Sequence, residues 1–420
     1  MLALDTIGHF FLGAALVLAL SRAAGAAVEK AGQPRVIGEV AAGIALGPSL
    51  LGALAPDVAG RLFPPAVLPM FNGLAQIGLA LFMFATGREL ASMRVRGATR
   101  QGLAISGASL LVPFAGGALL ARPLAGRYAP PGVSPSVFAL FVGCAVSITA
   151  FPVLARILDD LGIAGSRPGR LGLFAAAVGD GGSWLALSAV VALARGSGPG
   201  ETAVRALLAL LLAALALGPV RRFAAGWFER RGGTAEPATL MTALVVTIGC
   251  GAALTAALGL HQLTGACLAG LVWPVDHPAA RAAAAPLAST AKTVLLPFFF
   301  LGFGLGVDLG SLRLDGGGGL VLAALLAVAV LAKTGGAALA GRATGLPWRE
   351  CAALGILLNT RGLTELVVLQ IGREAHLVEG PVLALLTLVA LVTTLMTTPL
   401  LKLTGTLPTP ARTPARVGTP

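Results

Sequence analysis

Apolar runs of about twenty residues recur from one end of the chain to the other, and a run of that length is what an α-helix needs to cross a bilayer. In hydrocarbon every backbone N–H and C=O must be bonded internally, which leaves helices or closed barrels. Long continuous spans, rather than short alternating segments, argue against the barrel. Composition agrees: 56% of the 420 residues are hydrophobic and 11% are charged, with a mean hydropathy of +0.88. A soluble protein carries roughly 25% charged residues. The 57 glycines, with abundant alanine, suit close helix–helix packing in a membrane. The sequence predicts an all-α polytopic membrane protein.

About thirteen transmembrane helices are expected, near 7–21, 36–53, 69–87, 101–121, 135–155, 171–194, 203–220, 237–258, 262–275, 287–307, 318–341, 350–371 and 380–402. The apolar stretch 10–20 lacks a basic leader and follows Asp5, so it reads as the first membrane helix, not a signal peptide. With the N-terminus outside, most of the 30 Lys and Arg residues fall in inner loops, such as Arg94, Arg96, Arg221, Arg222, Arg230 and Arg231. The net charge of +12 is therefore a positive-inside bias and not a nucleic-acid surface, and it places the C-terminus in the cytoplasm. Thirteen spans divide as six, one and six, and a single helix between two six-helix units forces them to enter from opposite sides. That is an inverted repeat. Residues 404–420 are rich in Pro and Thr and are expected to form a disordered cytoplasmic tail, with no soluble nucleotide-binding domain. The four cysteines, Cys144, Cys250, Cys267 and Cys351, show no CxxC spacing and read as buried thiols, not a metal site or disulfide framework.

Charges inside such spans are costly, and by default they mark an ion or proton pathway. Asp180 is the sole charge in 171–194 and follows Arg170 by ten residues, which sets it ~15 Å into the membrane. Lys333 precedes Arg342 by nine residues and lies ~14 Å from the same surface. Matched depth predicts that Asp180 and Lys333 form a salt bridge. In the fifth span, Ser147, Thr149 and Pro152 fall together. Pro152 removes a backbone donor and frees carbonyls near Cys144–Ile148, unless Ser and Thr simply bond back across an ordinary kink. The twelfth span carries Asn359-Thr360-Arg361-Gly362-Leu363-Thr364-Glu365, too polar for a continuous lipid-facing helix. It fits a second break at Gly362, with Arg361 and Glu365 compensating exposed helix ends, or else a static i,i+4 pair that holds the fold. Glu39 lies only ~6 Å past Arg35 and reads as interfacial.

Three segments resemble the monovalent cation/proton antiporters, in the branch of Kef-type proteins and plant cation/proton exchangers. They are 35–52 (RVIGEVAAGIALGPSLLG), 147–158 (SITAFPVLARIL) and 359–369 (NTRGLTELVVL), and the likeness extends over most of 7–403. The resemblance implies an NhaA-like antiporter fold with two crossing broken helices in one exchanger domain, residues 1–403. Its core would take about 101–194 and 318–402, and its panel, the dimerisation part, about 7–87 and 203–307. It further implies that Asp180 binds H+ and a monovalent cation in turn, Na+ or K+, with Lys333 beside it. The protein would be a homodimer in the bacterial inner (plasma) membrane. Many relatives carry an acid or amide where this chain has Gly179, so one working carboxylate, and electroneutral exchange, are expected here. Ser147 and Thr149 would lend oxygens to the cation.

Two other readings fit the same spans: a Na+- or H+-coupled carrier of an organic solute, and a non-transporting membrane sensor. No nucleophile–base arrangement or metal spacing suggests an enzyme, and no cofactor is expected.

Overall fold

A computed structural model of the chain describes residues 5–33, 35–92, 99–160, 162–194, 199–258, 261–312 and 317–403. The expected tail, 404–420, lies outside these residues, as do Arg94 and Arg96. The described residues form helices and no strands. Ten helices are long and apolar enough to cross a membrane, among them Thr6–Lys30, Leu68–Ser92, Arg167–Ala194 and Pro237–Ala257. Thirteen is not reached by that measure, because two expected spans are interrupted and a third, Gln262–Val272, has only 11 residues.

Local chemistry sets most boundaries. Ser134 caps one helix by accepting from the Val137 amide, and Pro135 takes the first helical position, where a missing N–H costs nothing. Proline also ends or bends helices: the span expected over 36–53 stops at Leu46, just before Gly47-Pro48. The span expected over 203–220 instead runs on through a π-turn, Ala216–Val220, which contains Pro219, and ends at Arg231. Arg221 and Arg222, expected in a loop, are therefore helical.

Packing relies on small residues. A Cβ on Gly43 would sit 2.2 Å from the Phe300 carbonyl, and one on Gly304 would sit 2.1 Å from the Gly43 carbonyl carbon. The two helices touch backbone to backbone, which only glycine permits. Large apolar side chains such as Leu54, Leu119, Leu320, Leu331 and Phe223 stay exposed, as a bilayer-facing surface requires.

The two interrupted helices lie between long neighbours. Pro135–Ser147 and Phe151–Asp160 fall between Thr99–Tyr128 and Arg167–Ala194; Trp348–Leu358 and Leu363–Glu374 fall between Gly318–Ala343 and Gly380–Leu403. The breaks meet: the Ala150 amide donates to the Thr360 carbonyl at 3.0 Å, and the Thr149 hydroxyl to the Leu358 carbonyl at 3.0 Å. Pro152 lies in the first turn of the resumed helix, so the break runs through Ile148, Thr149 and Ala150. In the second break Gly362 has φ +149°, a conformation other residues resist, and a Cβ there would lie 2.8 Å from Val153 Cγ2. Gly362→Ala is therefore expected to cost on the order of 1–3 kcal/mol and lower the melting temperature in detergent. Gly335→Ala, a helical position with open space around its Cβ, is the control expected to leave it unchanged or higher.

Candidate functional site

Where a helix breaks inside a membrane, its last carbonyls lose their partners and its dipole leaves partial negative charge at that end. The half-helix Pro135–Ser147 ends this way, and two buried cations meet it. Arg361 donates through Nη1 to the Ala145 carbonyl at 3.0 Å and through Nη2 to the Val146 carbonyl. The same Nη1 donates to Glu365 Oε1 at 2.8 Å, and neither side chain of this pair is exposed. Lys333 Nζ donates to the Ser147 carbonyl and, at 3.3 Å, to that of Ser109. Three successive carbonyls at one helix end are thus held by fixed positive charge. The expected charge compensation by Arg361 and Glu365 takes this form: a carbonyl clamp together with an i,i+4 pair.

Asp180 lies midway along Arg167–Ala194 and is 1% exposed. The expected salt bridge to Lys333 is not formed; Lys333 spends its ammonium on carbonyls instead. Depth fixes one coordinate of a side chain and leaves its direction free. A π-turn, Val328–Ala332, immediately precedes Lys333 and resets the direction in which that helix presents it. Neither Asp180 Oδ1 nor the indole N–H of Trp184, one turn on, makes a hydrogen bond of ordinary geometry among the described residues, but the two side chains lie close enough to interact. A Cβ on Gly179 would meet Ser106 Oγ at 3.5 Å, in ordinary contact. Ser106 in turn donates to the Ala175 carbonyl at 2.8 Å and ties Thr99–Tyr128 to the Asp180 helix.

The two hydroxyls expected near the ion are both buried. Ser147 Oγ donates back to the Cys144 carbonyl at 2.8 Å, while Thr149 Oγ1 bridges to the other broken helix. Further buried oxygens sit at the crossing: Asn359 Oδ1, Thr360 Oγ1 and Glu365 Oε2 have no hydrogen-bond partner among the described residues. Glu39 stands apart from this group. It lies against Gly25 of the first helix, while Arg35 pairs with Glu29.

Sequence reasoning did not single out Ser106 or Ser109, whose three-residue spacing puts both on one helical face. It quoted Asn359 and Thr360 without giving their oxygens a role. Among the described residues no group of three or more His, Cys, Asp or Glu side chains is arranged to hold a metal ion.

Comparison with known proteins places this geometry. Residues 14–403 match the family model of the sodium/hydrogen exchanger, transmembrane. The chain is 34% identical over 388 residues to the Na+/H+ antiporter NhaS4 of Synechocystis sp., covering 92% of this chain and 94% of that one. It is also 34% identical over 394 residues to cation/H+ antiporter 18 of Arabidopsis thaliana, covering 91% of this chain but only 47% of the plant protein, so it spans about half that relative's length. Among solved structures, the sodium proton antiporter MjNhaP1 from Methanocaldococcus jannaschii matches with a TM-score of 0.70 at 14% identity, covering 96% of this chain and 100% of that one. At that identity the likeness is one of fold. The chain belongs to the transmembrane sodium/hydrogen exchanger family.

Proposed function

We propose that the protein exchanges a monovalent cation, Na+ or K+, for H+ by alternating access around Asp180, moving one cation per proton. The observation that carries this reading is Asp180 itself, a buried carboxylate halfway along a membrane-spanning helix with no cationic partner. A carboxylate so placed is costly unless it is protonated or binds a cation, and one carboxylate holds either but not both. The oxygens of Asn359, Thr360, Ser147 and Thr149 are the hard donors that alkali cations take. Lys333 and Arg361 are committed to carbonyls, so the charge exchanged at the site is that of Asp180 alone. Swapping H+ for a monovalent cation there moves no net charge.

On this reading the core comprises about 101–194 and 318–402, and the panel about 7–87 and 203–307. The short helix Gln262–Val272 and the two interrupted helices complete thirteen spans, arranged as inverted six-helix repeats. Each repeat then carries its broken helix in the fifth place. The protein acts as a homodimer in a bacterial plasma membrane, N-terminus outside and C-terminus cytoplasmic, and the core moves against the panel.

The test is dissipation of an imposed pH gradient in proteoliposomes on adding Na+, K+, Li+ or Rb+. Wild type is expected to respond and Asp180→Asn to fall to the empty-liposome level; an unimpaired Asp180→Asn protein would sink the reading. Clamping an inside-negative potential is expected to leave the wild-type rate unchanged, and acceleration by the potential would exclude one-for-one exchange. Lys333→Ala removes the donor from two buried carbonyls, at a cost of about 1–3 kcal/mol for each acceptor left bare. It is expected to lower the melting temperature while leaving the pH profile of any residual exchange in place. A shifted pH profile at unchanged stability would instead mean that Lys333 acts on Asp180.

A further inference from the structure

The proposed core and panel meet along a seam whose two ends differ. At one end Val36, Ile37 and Val40 of the panel face Leu366, Ala390 and Leu391 of the core around a gap of about 10 Å³, apolar and barely the size of one water. At the other end a cleft of about 410 Å³ opens between Leu68–Ser92, Leu296–Gly304 and Leu363–Glu374. Its polar lining comes from both sides: Asn72 and Gln76 from the panel, Gln370, Arg373 and Glu374 from the core.

One side chain reaches across. Arg373 Nη2 donates to the Gly302 carbonyl at 3.3 Å, near the C-terminal end of a panel helix, where a cation is favoured by the helix dipole. Its Nη1 lies 1.1 Å from the place a Cβ on Gly306 would take, so the guanidinium fills a notch that exists because residue 306 is glycine. The notch is fixed to the panel. Ser49 Oγ donates to the Val307 carbonyl at 2.7 Å and accepts from the Leu309 amide at 3.0 Å. The turn amides of Leu305, Gly306 and Val307 go to Leu301, Phe303 and Gly304, which leaves the Gly302 carbonyl to Arg373. The bonds of Ser49, Gln76, Ser106, Thr149, Lys333 and Arg361, by contrast, stay within core or panel.

We infer that Arg373 is a latch of the exchange cycle: docked in the Gly306 notch, it ties the core to the panel at the cleft end of the seam and sets how long that end stays narrowed. Arg373 is a positioning residue and does not touch the ion. The inference rests on the core-and-panel reading above, and its test is independent of transport. Ala75 lines the cleft and is buried, so Ala75→Cys reports its opening. In nanodiscs, labelling of that cysteine by a charged maleimide is followed by peptide mass spectrometry, which leaves the native cysteines in place.

Arg373→Ala is expected to speed labelling about tenfold to a hundredfold, the population shift that loss of one charge-assisted hydrogen bond allows. Gly306→Ala keeps the arginine but expels its tip from the notch, and is expected to match Arg373→Ala. The double variant is expected to go no further than either single one, and Arg373→Lys to fall between. Parental labelling rates in both single variants would overturn the latch, as would acceleration by Arg373→Ala alone. Should Arg373→Ala fail to fold, Gly306→Ala carries the test, because the atom it displaces is the far end of a flexible side chain. Asp180→Asn is assayed for exchange alongside. Retained exchange there would refute the antiport reading, while the labelling rates still decide the latch.

Discussion

The clamp of Arg361 on the carbonyls of Ala145 and Val146 is the interaction on which the rest of the site depends. A helix that stops inside hydrocarbon leaves acceptors that water cannot reach, each a cost of several kcal/mol if bare. A buried guanidinium alone would cost as much again. Put together with Glu365, the two liabilities offset one another in large part: Arg361 Nη1 and Nη2 meet two carbonyls and a carboxylate oxygen, and the half-helix dipole favours the cation. The crossing is held closed from the other side by Ala150 on the Thr360 carbonyl and Thr149 on that of Leu358. Each broken helix therefore supplies what the other lacks.

Lys333 extends the same device to Ser147 and Ser109, and this divides labour among the buried charges. The cations are structural, bonded to backbone that has no other donor. The acid is free. Had Lys333 paired with Asp180, a cation arriving at the site would have had to displace an ammonium and leave it stranded. On the proposed reading, with Lys333 held elsewhere, loading and unloading Asp180 would change one bond partner and little else, which is what a carrier that must turn over repeatedly needs.

How much of this was legible in the sequence follows from how local each feature is. The Arg361–Glu365 pair is an i,i+4 relation, and helix geometry alone brings the two together. The break at Gly362 was marked by a polar run that no lipid-facing helix tolerates, and the place of Asp180 midway along its helix followed from counting residues. The partner of Lys333 was not legible. Its acceptors are carbonyls, which every residue carries, and a π-turn at 328–332 redirects the side chain without any composition that announces it. The short span at 262–272 was mis-sized for a related reason: apolar length was read through Trp273, Pro274 and Val275, but the helix ends at Val272, ahead of Pro274. Gln76 and the pair Gln370 and Arg373 come from two segments far apart in the chain, so the cleft they line has no sequence signature.

Motion of a core against a panel requires that their seam be weak compared with the interior of each. In the proposed division into core and panel, the side-chain bonds of the described residues distribute that way. Within the core, Lys333, Arg361, Ser106 and Thr149 fasten helices to one another through buried polar contacts; within the panel, Gly43 and Gly304 bring backbones into direct contact. Between them, among the described residues, lie an apolar contact at one end, a partly polar cleft at the other and the bond of Arg373 to Gly302. A hydrogen bond to a charged group contributes roughly 1.5–3 kcal/mol, and two conformers that interconvert in a working cycle differ by a few kcal/mol. One such bond is therefore strong enough to bias the populations of the two states by about one to two orders of magnitude and too weak to lock either. On the proposed reading, its placement at the rim of the cleft would let it set that bias without adding a charge to the site where H+ and the cation compete.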